Sequence, residues 1–276
     1  EVDLRLRSPH WSRVTASADT VNDGNGLWVR ADHDCSDPTD PEVLASHPGR
    51  LAAIQIDGDE VVLAQDRLRS SPLFWSLEDG VGGAQRLVIS DDATLMREAV
   101  STPRLDARAR REFLDAGFVT GSDTLLAGIH QTEQGTVVRI DRATGRVRTI
   151  NHSLGRFSEE TDTVVAPEDF SDLLTEALDA VLGRLLVDLD RRPGTPRLVV
   201  PLSGGLDSRL LVAWLALHDA LDRTVAFTYG RPGAREVEIS RKVAQAVGLE
   251  WHAVDYDPAV LREAWQTQEA ADFLTD

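Results

Sequence analysis

The sequence predicts two folds in one chain. An antiparallel, β-rich α+β domain is expected over residues 1–155, a polar linker over 156–166, and an α/β domain with a parallel sheet over 167–276. Three observations carry this. The first half alternates short apolar runs with Gly-containing turns at hairpin spacing. The second half repeats strand, helix, strand, helix, strand, the rhythm of parallel strands joined by crossover helices. Between the two lies a polar, acidic stretch with no apolar period.

In chain order, the first fifty residues are weakly patterned. Gly26–Arg30 is expected as a strand after the turn Asn22-Asp23-Gly24-Asn25-Gly26, residues 32–41 as a loop, and 41–47 as a short helix. Leu51–Ile56 and Glu60–Ala64 flank Asp57-Gly58-Asp59, the Asp-Gly turn that hairpins favour. Pro72–Ser76 and Arg86–Ser90 form a second pair around the glycine-rich turn Gly80–Gly83, and Asp106 opens an amphipathic helix over 105–116. Gly135–Ile140 and Arg146–Ile150 make a further hairpin.

In the second half, Phe170–Leu189 is a long amphipathic helix with Ser171 or Asp172 as its expected cap. The run Leu198–Leu202 is expected as a strand buried on both faces. Thr224–Tyr229 and Trp251–Tyr256 supply the other strands, with a helix over 234–247 ended by Gly248.

Composition narrows the functional classes. The net charge is −17, from 29 basic and 46 acidic residues, so a general nucleic-acid binder is not expected. No stretch approaches the roughly 20 apolar residues of a membrane span. The start, EVDLRLRSPHW, lacks the apolar core of a signal peptide, and the expected compartment is the cytoplasm. The single cysteine, Cys35, allows no internal disulfide and no cysteine metal cluster. It is expected to be an incidental thiol, its pKa raised by the acids of Asp32-His33-Asp34-Cys35-Ser36-Asp37.

The chemistry concentrates in Ser203-Gly204-Gly205-Leu206-Asp207-Ser208. A strand, a glycine turn and a helix start bring unpaired backbone amides and the positive helix end to one place, where they attract phosphate. Ser203 and Ser208 add hydroxyl donors. A carboxylate at Asp207 facing a polyphosphate is tolerable when it recruits Mg²⁺. The Walker pattern GxxxxGK[ST] is absent, and the one lysine is Lys242. The pattern instead resembles the pyrophosphate loop of enzymes that split ATP between its α and β phosphates; the bland alternative is an ordinary capped strand-to-helix turn. Thr228–Gly233 lies beside it at the end of the next strand.

At a larger scale, SGGLDS at 203–208, FTYGRPG at 227–233 and the adjoining REVEISRKVAQAVGLEW resemble the synthetase domain of the asparagine synthetase family. DRLRSSPLFW at 66–75, VISDDA at 88–93 and GFVTGSDTLLAGIHQTEQG at 117–135 resemble its glutaminase-like class II amidotransferase domain. The resemblance implies an ATP-binding set of Pro201, Leu202, Ser203, Gly204, Gly205, Asp207, Ser208, Thr228 and Tyr229. Within it, Pro201 and Tyr229 hold adenine through their backbones, and Asp207 serves as catalytic Mg²⁺ ligand.

The implied activity is an ATP-dependent amide-forming ligase that adenylates a small-molecule or peptide carboxylate, releases pyrophosphate and AMP, and takes nitrogen from ammonia, an amine or a partner glutaminase. Natural-product or polysaccharide biosynthesis is the implied setting. Glutamine-hydrolysing members need an N-terminal cysteine; this sequence opens on Glu1, so residues 1–155 are expected to be a degenerate glutaminase. The family's second phosphate loop and catalytic lysine are not found before Asp276, so a C-terminal remainder of the synthetase domain is expected as a partner. Two alternatives stay open. One is a pyrophosphate-loop tRNA-modifying enzyme; the other is a non-catalytic nucleotide-binding scaffold.

Overall fold

A computed structural model describes residues 1–14, 25–80, 85–153 and 166–275. The expected linker at 156–166, apart from its last residue, lies outside the described residues, as do parts of the turns expected at 22–26 and 80–83. The chain forms two compact units, Glu1–Phe157 and Ser158–Leu274. No helix among the described residues is long and apolar enough to cross a membrane.

The first unit is built from two sheets. Strands β1 (Val2–Arg5), β2 (Ser12–Val14), β3 (Gly26–Ala31), β4 (Leu51–Asp57), β5 (Glu60–Gln65), β6 (Phe74–Asp79), β7 (Gln85–Ser90), β8 (His130–Gln131), β9 (Thr136–Asp141) and β10 (Arg146–Asn151) divide between them. The orders are β1-β7-β6-β8 and β10-β9-β5-β4-β3-β2. All pairs are antiparallel except β1 with β7.

Alternate residues fill the space between the sheets: Ile54, Val61 and Leu63 from one meet Trp75, Leu87 and Ile89 from the other. The intervening residues of β4 and β5, such as Ala53 and Val62, pack with Leu44 of α1 (Pro41–Ser46) on the outer side. This explains their unbroken apolar runs: both faces are covered. Helix α2 (Ala93–Ala99) covers the smaller sheet through Met96 and Ala99 against Val88.

Two expected hairpins and the helix at 105–116 appear with small shifts at their ends. In β4–β5, Asp57 pairs with Glu60 around Gly58, whose φ is +55°. Helix α3 (Ala107–Ala116) starts where Asp106 accepts from Ala109 N and stops at Gly117, φ +84°. Strand β6 begins two residues after Pro72, which has no N–H to give the ladder.

Strand β1 and helix α2 had no signal of their own. Asp91 accepts from Arg7 N, Ser8 N and Trp11 Nε1, fixing the segment after β1. Helix α2 is capped by Asp92, which accepts from Leu95 N. Asp66 is buried and accepts from Leu51 N, Leu68 N and Ser70 N, holding a loop in which Arg69 has φ +54°.

The second unit is a three-stranded parallel sheet, β11 (Leu198–Pro201), β12 (Thr224–Gly230) and β13 (Glu250–Asp255), in that order. Helices α4 (Pro167–Arg191), α5 (Leu206–Leu217) and α6 (Arg235–Val247) pack on the core around Val200, Val212, Ala226 and Ala244. Short helices α7 (Pro258–Ala264) and α8 (Gln268–Thr275) come last.

Two expectations need correction. Helix α4 starts at Pro167 with N-cap Ala166 and no side-chain cap, not at Ser171 or Asp172. Proline with its preset φ opens it, and Glu168 and Asp169 face the positive end. Strand β11 is not buried on both faces: Val200 is buried but Val199 is 61% exposed. The covered face carries Val200, Ala226 and Trp251 in register; the other shows Val199, Tyr229 and Val254 to solvent.

His47 comes directly after α1 in the first unit and is buried with Nε2 unbonded. Burial, then the nearby His33, pushes its pKa below 6.5, against the pull of Asp66 and Asp32. The folded protein therefore resists protonation that the unfolded chain accepts. Stability is expected to fall as pH drops below about 6.5. Between pH 7.5 and 5.5 the urea midpoint should fall less in His47→Gln than in the parent; equal falls would remove His47 as the cause.

Candidate nucleotide-binding site

The turn at 203–208 leaves the carboxyl end of β11 and enters α5, with Gly205 as N-cap. Its shape is held by its own side chains. Ser203 N donates to Ser208 Oγ at 3.0 Å, the two hydroxyl oxygens are 3.0 Å apart, and Gly205 N donates to Ser203 Oγ at 3.1 Å. Arg209 Nε donates to Gly205 O at 3.0 Å. The two serines expected as ligand donors thus also build the turn.

Neither loop glycine has positive φ; Gly205 sits at −72°. Handedness does not require them. A Cβ on Gly204 would rest 3.4 Å from Ile239 Cδ1 and 3.7 Å from Glu236 Cα, ordinary contacts with α6. One on Gly205 would lie 3.2 Å from Ser203 Oγ, which is tight. Gly204 is therefore not demanded by packing within the chain. What its bare backbone offers is close approach for a ligand.

The other expected residues lie at the strand ends and under the turn. Pro201 is exposed and pairs in register with Phe227; Leu202 is buried and its N–H donates to Phe227 O. Asp207 is exposed in the first turn of α5 and makes no hydrogen bond or ion pair among the described residues. Tyr229 is 56% exposed at the end of β12, its ring 5.6 Å from that of Tyr256. Thr228 is buried beneath the loop, its hydroxyl bonded to Leu202 O at 2.6 Å.

No cluster of three or more His, Cys, Asp or Glu side chains able to hold a metal occurs among the described residues. The single exposed carboxylate of Asp207 in the first turn of α5 fits Mg²⁺, which commonly takes one or two carboxylates and completes its shell with phosphate and water. It does not fit an all-protein cage.

Sequence reasoning gave Ser240, Trp251, Glu236 and Ile239 no part in the site. They lie roughly 30 or more residues along the chain from the turn, and no local period marks them. Cys35, in the first unit, packs partly buried against the Leu44 and Val62 cluster. Its thiol pKa is raised, with burial the main cause and the Asp37 charge a lesser one. The acids weigh less than the sequence suggested, because apolar neighbours desolvate the sulfur.

Residues 197–271 match the family model described as queuosine biosynthesis protein QueC. The chain is 39% identical over 57 residues to the 7-cyano-7-deazaguanine synthase of Bacteroides fragilis, covering 21% of this chain and 26% of that protein. It is 36% identical over 67 residues to the one of Acinetobacter baylyi, covering 24% and 28%. The aligned part thus spans little more than a quarter of these relatives. The matched stretch contains every expected site residue, and it is similar to a queuosine-pathway protein of the pyrophosphate-loop type, not to asparagine synthetase in particular.

The site makes a sharp prediction at Gly204. Gly204→Ala should leave the melting temperature within about 2 °C of the parent, since its Cβ meets only ordinary contacts. Affinity for inorganic pyrophosphate, measured by calorimetry, should drop at least about tenfold by blocking close approach. Unchanged affinity would show that no phosphate sits against Gly204.

Proposed function

We propose that the second unit binds ATP at the turn 203–208 and supports its cleavage between the α and β phosphates, passing AMP to an oxygen of a substrate carboxylate. The observation that carries this reading is the self-braced turn at the end of β11, leading into the N-terminus of α5 with the exposed carboxylate of Asp207 beside it, inside the stretch that matches QueC. The turn amides and the α5 N-terminus would hold the leaving pyrophosphate. Asp207 would hold Mg²⁺, which when bound supplies charge neutralisation on the leaving group. Tyr229 and Pro201, at the strand ends beside the turn, are the proposed adenine neighbours.

For the substrate, we favour a small heterocyclic acid of the deazaguanine kind, as in the tRNA-modification alternative. The curated relatives are named for a cyano-deazaguanine product. A cyano carbon stands at the oxidation level of a carboxylic acid, so no redox partner is needed: ammonia displacing AMP from the acyl adenylate would give the amide, and a second ATP adenylating the amide oxygen, which then leaves as AMP, would give the nitrile. A small base also suits a chain of net charge −17 better than a polynucleotide does. Nitrogen would come from ammonia, an amine or a partner glutaminase.

The second reading is the asparagine synthetase-like amide ligase. It is favoured by the resemblance of 66–75, 88–93 and 117–135 to a glutaminase-like domain and by the antiparallel two-sheet first unit, which is compatible with one. Both readings share the adenylation step and differ in the acid activated.

The purified protein, given ATP, Mg²⁺ and ammonia with either a 7-carboxylated deazaguanine or L-aspartate, should release AMP and pyrophosphate in the presence of one acid only. Products of ADP and phosphate would sink the α–β cleavage. No turnover with either acid would count against both readings of the substrate.

Asp207→Ala should lower turnover at least about a hundredfold, because an electrostatic contribution to the transition state is lost. Its thermal stability should stay near that of the parent, since this exposed side chain supports no other group. Near-normal turnover in the variant would make Asp207 a mere first-turn acid.

A further inference from the structure

Beneath the turn lies a buried polar network that joins four elements. Thr228 and Ser240 are almost wholly inaccessible, at 6% and 0% exposure. Thr228 Oγ1 lies 2.6 Å from Leu202 O, 2.8 Å from Ser240 Oγ and 2.9 Å from Trp251 Nε1. Ser240 Oγ is also 2.7 Å from Glu236 O in the first turn of α6.

Proton counting orders these contacts. A hydroxyl has one proton and two acceptor sites, an indole only donates, and a carbonyl only accepts. The shortest contact runs to a carbonyl, so the Thr228 proton goes to Leu202 O. The Trp251 indole then donates to Thr228 Oγ1, and by the same rule the Ser240 proton goes to Glu236 O, so the Thr228 and Ser240 oxygens, 2.8 Å apart, share a proton only when one of the two hydroxyls turns away from its carbonyl. The hydroxyl of Thr228 both donates and accepts, and a side chain without one would leave buried groups unpaired.

Leu202 is the last residue before the turn. Its amide is fixed by Phe227 O and its carbonyl by Thr228, so both of its backbone groups are tied to β12. Gly204, two residues on, rests against Glu236 and Ile239 of the same helix that carries Ser240.

We infer that Thr228 is a positioning residue for the pyrophosphate turn, with Ser240 and Trp251 as its supports. It sets the height and direction at which the chain leaves β11, and so where the amides of 203–205 point. Its side chain is spent on this and does not reach solvent. The functional consequence rests on the nucleotide reading above; the geometric one does not.

The test replaces Thr228 with valine, which keeps the shape and removes the hydroxyl, and with serine, which keeps the hydroxyl. Site-resolved hydrogen exchange without ligand is read at Ser203 and Gly205, whose amides are bonded within the turn. Thr228→Val should speed exchange there by at least about tenfold, since the bond to Leu202 O and the one from Trp251 Nε1 are both lost, with smaller change in α5 and β12. Thr228→Ser should stay within about threefold of the parent. Trp251→Phe, which removes the indole donor along with part of the ring and leaves Thr228 in place, should loosen the turn in the same direction and covers the case in which the valine variant does not fold.

Pyrophosphate affinity should fall in parallel, about tenfold in the valine variant. Selective loosening without any pyrophosphate binding by the parent would reject the nucleotide reading and keep the positioning role. Unchanged exchange at Ser203 and Gly205, or equal acceleration throughout the unit, would overturn the inference.

Discussion

The second unit depends on one constraint: a turn must hold a fixed shape through some of its amides, those of Ser203 and Gly205, and leave others for a ligand. Secondary structure cannot supply this, because ladder and helix bonds would consume the same donors. The chain solves it with hydroxyls. Ser203 and Ser208 grip each other and two loop amides from inside the turn. Burial of Leu202, Val212 and Trp214 then anchors the strand and helix on either side. The apolar core sets where the turn is, and the hydroxyls set how it is shaped.

Much of this was legible because the signals were local. The turn at Gly58, the caps at Asp106 and Gly248, and the strand-turn-helix at 198–217 each depend on residues within a few positions. What escaped was non-local. Strand β1 exists because it pairs with β7, more than 80 residues on, and because Asp91 anchors residues 7–11 at its carboxyl end. Apolar runs in β4 and β5 meant burial on both faces; the similar run in β11 did not, since a strand at the edge of a three-stranded sheet gains cover only from the elements that pack on it. Periodicity reports apolar content and is silent about which face finds a partner.

The site divides in the same way. Residue types at 203–208 announced phosphate chemistry. The division of labour among them did not show: hydroxyls expected at the ligand turn out to brace the loop, and the threonine expected beside adenine lies under it. Substrate identity is less local still. The match to 7-cyano-7-deazaguanine synthases covers the loop-bearing stretch, and a pyrophosphate loop is compatible with many activated acids. Fold and loop constrain the reaction class more tightly than the molecule that undergoes it.

The uncovered sheet face has a practical side. Val199 and Val254 on the sheet, with Tyr229 between them, form apolar ground beside an edge strand. In a concentrated solution such a surface lowers the free energy of any encounter that hides it, and an unpaired edge offers backbone donors to the same visitor. Expression trials on this stretch therefore face a colloidal problem before a folding one: sheets would meet sheets, and solubility would depend more on dilution and excipient than on the stability of each copy.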